Sequence, residues 1–139
     1  MTIPPFQASG ALPPGDHEAT LGEIEERFCL NYRRRKIYQG LTYVAGELVS
    51  HNVSKIWVDG SFVTEKVNPR DVDVAYEVPD GADPDDWGWL SPARQHDLKK
   101  FHSVHLFPDW PGQPQMKDFF SRDENGNLKG IIRLLADAA

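Results

Sequence analysis

Asp71 and Asp73 stand one residue apart in Asp71-Val-Asp-Val74, and nine residues separate Asp71 from Ser61 of an upstream Gly60-Ser61 pair. Side chains alternate across a strand, so a strand here projects both carboxylates from one face, roughly 6.6 Å apart along it. Like charges so placed repel, and a hard cation between them removes the conflict. Magnesium suits such a site, because it favours oxygen ligands and shares itself between a few carboxylates and substrate phosphates. Two ions about 4 Å apart can activate an attacking hydroxyl and stabilise a leaving pyrophosphate. The glycine adds a second component, since it lets the backbone approach a ligand closely. Ser61 then offers a hydroxyl and a main-chain N–H to a terminal phosphate. Singly, each pair is ordinary: exposed strand aspartates, or Asp71 closing the turn Asn68-Pro-Arg-Asp71. The combination carries the chemical reading.

These groups need two adjacent strands to position them. Lys55-Ile-Trp-Val58 predicts a short strand ended by Asp59-Gly60, and Asp71–Val78 predicts a second. In the second, Val72, Val74 and Tyr76 face one way, and Asp71, Asp73 and Ala75 the other. Upstream, Thr20 and Glu23 fit a capping box, with Leu21, Ile24 and Phe28 as the apolar stripe of a first helix. Ile37, Leu41, Val44 and Leu48 predict a second helix over Tyr32–Val49, weakened by Gly40 and Gly46. A turn-rich stretch from Pro79 to Pro92 predicts a loop. Ser91 then caps a helix that starts at Pro92 and runs to about Phe101. Ser103–Phe107 predicts a third strand, stopped by Pro108. The segment from Phe119 to Leu135 reads as a hairpin turning at Asn125-Gly126.

Helices followed by strands with one inserted helix predict an α+β (mixed α/β) domain, a small mixed β-sheet flanked by helices. Residues 1–18, proline-containing and aperiodic, read as an extended arm; residues 19–139 read as a single domain. The chain has 139 residues, 40% hydrophobic and 26% charged, ordinary values for a globular protein with one core. No apolar run approaches the roughly 20 residues needed to span a bilayer, and the N-terminus has no basic start, so a cytoplasmic protein away from membranes is expected. A single cysteine, Cys29, excludes an internal disulfide framework and reads as a small buried helix residue. A net charge of −6 argues against broad nonspecific nucleic-acid binding and leaves room for a nucleotide or RNA end at a local basic patch.

The stretch from Ile56 to Val78 resembles the signature of the DNA-polymerase-β-like nucleotidyltransferase superfamily, in which a strand-Gly-Ser element precedes an acidic pair on the neighbouring strand. The flanks, Leu12–Thr20 with Glu23–Phe28 and Arg33–Arg35, and Phe119–Leu134, are similar to short bacterial and phage nucleotidyltransferase-like proteins without known function. The resemblance implies a nucleotidyltransferase-like mixed sheet, dependence on Mg2+ (or Mn2+), and transfer of a nucleotidyl group from a nucleoside triphosphate to a hydroxyl on RNA, protein or a small molecule. By position, Gly60 and Ser61 would hold the triphosphate, and Asp71 and Asp73 the metal. A toxin–antitoxin or phage-defence setting follows only by analogy. One departure stands out. The superfamily supplies a third carboxylate from an adjacent strand, and here that strand carries His105. A neutral imidazole serves as a base near neutral pH but ligates magnesium poorly. Asp109 is the alternative acid. The departure supports a second expectation: a catalytically degenerate domain acting as a nucleotide- or protein-binding module.

Other residues have two readings each. Lys129 is an exposed hairpin lysine or, if its strand borders the site, a phosphate contact. Arg33-Arg-Arg-Lys36 is a solvated helix face or a landing site for acceptor RNA or an acidic partner. His102 and His105, three apart, do not form a two-histidine metal site. Trp57 reads as core, whereas Trp87 and Trp89 read as a lid or an interface.

Overall fold

The computed structural model describes residues 3–79, 92–110, 122, 126 and 128–135. Its described elements, in chain order, are β1 (Gly15–Ala19), α1 (Leu21–Phe28), α2 (Tyr32–Ser50), β2 (Ile56–Asp59), a short 3-10 turn (Ser61–Val63), β3 (Val72–Glu77), α3 (Pro92–His102), β4 (Val104–Asp109) and β5 (Gly130–Leu134). The five strands form one sheet in the order β1-β5-β2-β3-β4. The β1–β5 and β3–β4 pairs are parallel, and β2 runs antiparallel to both β5 and β3. The expected α+β class with a mixed sheet is what the chain adopts.

Local chemistry accounts for the helix starts. Thr20 and Glu23 make the reciprocal capping box, Glu23 N–H to Thr20 Oγ1 at 3.1 Å and Thr20 N–H to Glu23 Oε1 at 2.9 Å. Asn31 Oδ1 accepts from Arg34 N–H at 2.9 Å and opens α2. The expected stripe of α2 is buried, Ile37, Leu41, Val44 and Leu48 all sealed from solvent. With Ile24, Phe28 and Leu98 they meet the inward strand residues Ile56, Val58, Val72, Val74, Tyr76, Val104, Leu106, Ile132 and Leu134 in one core. Burying each such side chain stabilises the fold by about 1.5–3 kcal/mol. The opposite sheet face carries a smaller cluster, Trp57, Ala75 and Ile131 with Phe107 against it, and by strand alternation Asp59, Asp73 and His105. Gly40 is explained by packing: a Cβ there would lie 1.8 Å from His102 O, so its absence lets the end of α3 touch α2.

Four expectations differ from the structure. Gly15–Ala19, mostly inside the segment read as an arm, is strand β1, hydrogen-bonded along β5. The residues before it do lie over the domain, with Phe6 packed on Phe28 and Arg27 donating to Ile3 O. The apolar arm of the expected terminal hairpin, β5, sits between β1 and β2 within the sheet; an isolated Arg122–Leu128 bridge and a positive φ at Gly126 mark the turn. Pro108 does not stop β4, which runs on to Asp109. Among the described strands β4 lies at the sheet edge beside β3, and an edge strand tolerates a residue without an N–H. Cys29 is the C-cap of α1 and half-buried, where burial pushes its thiol up to about 11. The expected loop across 80–91, with its Ser91 cap, Trp87 and Trp89, lies outside the described residues.

Candidate functional site

The register of β2, β3 and β4 sets the site. Asp59 pairs with Asp73 across β2 and β3, and Asp73 pairs with His105 across β3 and β4. Directly paired residues share a sheet face at the strand spacing of roughly 4.8 Å. From β5's N-terminal flank, Lys129 reaches the same row, its Nζ 3.1 and 3.3 Å from the two carboxylate oxygens of Asp59. An ammonium, two carboxylates and an imidazole therefore cross four strands at one end of the face away from the helices.

Gly60 joins this row to the turn that follows. Its backbone, at φ +91 and ψ −171, occupies a region essentially reserved for glycine. A Cβ there would lie 2.9 Å from Asp73 Oδ2 and 3.2 Å from its Cγ. The Gly-Ser turn and the Asp-x-Asp strand thus touch through the atoms the sequence pattern singles out. Ser61, half-exposed, opens the 3-10 turn, which Val63 N–H closes onto Gly60 O.

The electrostatics follow from crowding. Burial, reinforced by the charges of Asp71 and Asp59, raises Asp73 to about 7, against the opposing pull of Lys129 and Lys99. Burial also raises Asp59 to about 6, moderated by Lys129 and by the N–H of Gly60. His105 is held below its ordinary value by burial and by Lys99, although Asp71 pulls the other way. Its Nδ1 lies 4.0 Å from Asp73 Oδ1, a long contact made by a mainly neutral imidazole, and its ring packs on Phe107. Asp73, crowded by the charges of Asp71 and Asp59, is the kind of carboxylate that a divalent ion suits. Among the described residues, no group of three or more His, Cys, Asp or Glu side chains is disposed to hold a metal. Asp71 and Asp73 are the two carboxylates here that could take part in holding a cation.

The structure brings Gly60, Ser61, Asp71, Asp73, His105 and Lys129 to this end of the sheet. Lys129 turns its ammonium onto Asp59. Asp109 is excluded as a stand-in acid: it pairs with Glu77, four residues along β4 from His105 and therefore roughly 13 Å away. The buried carboxylate that does face Asp73 is Asp59, which the sequence reading passed over as part of a strand-ending Asp-Gly. Strand alternation was the available signal, since Trp57 and Asp59 share a face opposite Ile56 and Val58.

The basic cluster at the start of α2 is in part a clamp. Arg34 is buried and donates to Phe62 O at 2.6 Å, Thr64 O at 2.7 Å, Phe28 O at 3.3 Å and Lys66 O. Arg33 donates to Pro69 O at 3.0 Å and to Arg70 O, and Asn31 Nδ2 to Val67 O at 2.8 Å. These bonds pin the segment between Ser61 and Asp71, so the spacing of the two motifs is held by α2. Arg35 and Lys36 stay exposed.

This is an α+β protein with an acidic site at one sheet end, reached by a Gly-Ser turn. Residues 4–135 match the family of unknown function DUF6932, and the chain belongs to that family. No curated protein and no solved structure matches it. No helix among the described residues is long and apolar enough to cross a membrane.

Proposed function

We propose that the protein is a metal-dependent nucleotidyltransferase, moving a nucleotidyl group from a nucleoside triphosphate to a hydroxyl on RNA, protein or a small molecule. The observation that supports this reading is the close approach of Gly60 to Asp73, which joins the Gly-Ser turn to the acidic strand. Ser61 presents its hydroxyl and N–H to the leaving phosphates. Asp71 and Asp73 would hold Mg2+ or Mn2+, which when bound neutralises phosphate charge and favours ionisation of the acceptor hydroxyl. The acceptor oxygen attacks the α-phosphorus, the bond to the β-phosphate oxygen breaks, and pyrophosphate leaves. His105, neutral and beside Asp73, takes the acceptor proton.

A second reading has its own observation. Asp59 is already neutralised by Lys129. The position on β4 that faces Asp73 is an imidazole, and the strand's acid, Asp109, lies opposite Glu77; this suits a degenerate domain that binds nucleotide or a partner protein without turnover.

Incubation of the purified protein with α-labelled triphosphates, Mg2+ or Mn2+, and total RNA or lysate separates the two. Label transfer that vanishes in Asp73→Ala supports the enzyme. Cation-dependent nucleotide binding with no transfer to any acceptor supports the binding module.

A further inference from the structure

Lys129 is anomalous as a phosphate contact. Its side chain is 16% exposed, that of Asp59 2%, and the ammonium engages both oxygens of that carboxylate. A charge is held so deep only when paired, because removing either partner leaves the other buried and unmatched. Asp59 faces Asp73 directly across the sheet. With its oxygens taken by Lys129 and by the N–H of Gly60, Asp59 is satisfied from within the chain. Among the described residues, the carboxylates left to receive an external cation at this sheet end are Asp71 and Asp73.

We propose that Lys129 is a resident cation, standing where a second divalent ion would otherwise neutralise the Asp59–Asp73 rung, so that the site loads a single divalent ion. The inference rests on reading this sheet end as a cation-dependent triphosphate site. Lys129 is accordingly a positioning residue: it fixes Asp59, and with it the Gly60 turn, before any ligand arrives. The chain thereby keeps a single positive charge at the second position while needing one ion from solution.

The test counts ions. Wild-type protein is titrated with Mn2+ at saturating non-hydrolysable triphosphate, and free Mn2+ is followed by electron paramagnetic resonance. One Mn2+ per ternary complex is expected, and two would overturn the proposal. Lys129→Met should bind a second Mn2+ and gain a larger Mn2+-induced rise in melting temperature than wild type. The double variant Asp59→Asn/Lys129→Met removes the unmatched buried charge, keeps the fold, and should return to one ion. A Lys129→Met protein that folds and still binds one ion would also overturn the proposal. If no ternary complex forms in wild-type protein, the underlying triphosphate reading fails instead, and the two failures are distinguishable.

Discussion

A Cβ on Gly60 would lie 2.9 Å from Asp73 Oδ2, so the glycine of one motif exists in the shape imposed by the aspartate of the other. Gly60→Ala must displace Asp73 or distort a backbone at φ +91. A loss of roughly 1–3 kcal/mol in stability is expected, measured as the shift of the urea midpoint. Triphosphate binding should fall further than stability does. A neutral Gly60→Ala variant would contradict the contact.

Asp73 gives a pH signature. Its folded value of about 7 stands above the ordinary carboxylate range, so the folded state holds the proton more tightly than the unfolded one. The resulting stabilisation is complete below about pH 4 and is lost as pH rises through about 7. Asp59, at about 6, acts with the same sign. Without divalent cations, wild-type protein should therefore lose stability between pH 5 and 8. Asp73→Asn should lose less, and should exceed wild type at pH 8 by roughly 1–3 kcal/mol. Parallel pH profiles in chemical denaturation would refute the crowded-carboxylate account.

Arg34 holds the connection between the motifs through three carbonyls, those of Phe62, Thr64 and Lys66, and also bonds Phe28 O at the end of α1. Arg34→Met strands these acceptors and should cost about 3 kcal/mol or more. Arg34→Lys should rescue little, because an ammonium lacks the planar fork that reaches several carbonyls at once. Equilibrium unfolding of both variants measures this directly.

The two glycines of α2 should behave oppositely. Gly40→Ala places a Cβ 1.8 Å from His102 O, which α3 cannot accommodate without moving, and should destabilise by several kcal/mol, on the order of other overpacked sites. Gly46 is exposed with nothing within 4 Å, so Gly46→Ala should stabilise by about 0.8–1 kcal/mol from helix propensity alone. Thermal melts of the pair decide it.

Features carried by local periodicity were legible: the α2 stripe, the Thr20–Glu23 box, and the alternation that puts Asp73 and Val74 on opposite faces. Features made by distant pairing were not. Strand β1 shows no apolar alternation, because it lies at the sheet edge and buries only Ala19. Its place comes from β5, more than a hundred residues downstream. Arg34 looked like one of four surface cations, since its carbonyl partners beyond residue 60 leave no local trace. Asp59 was hidden because Asp-Gly reads as a turn, and only the β2–β3 register shows it facing Asp73. His105 pairs with Asp73, and the alternation of Val104 and Leu106 fixes the phase of β4 that puts it there.

The central claim, that Gly60-Ser61 and Asp73 form one cation-dependent triphosphate site, is tested most directly by calorimetric titration of each nucleoside triphosphate into the protein with and without Mg2+ or Mn2+. Saturable binding of one triphosphate per chain, requiring the cation and abolished in Asp73→Asn, is the predicted result. Failure of all four triphosphates to bind with either cation, or binding unchanged in Asp73→Asn, would contradict it.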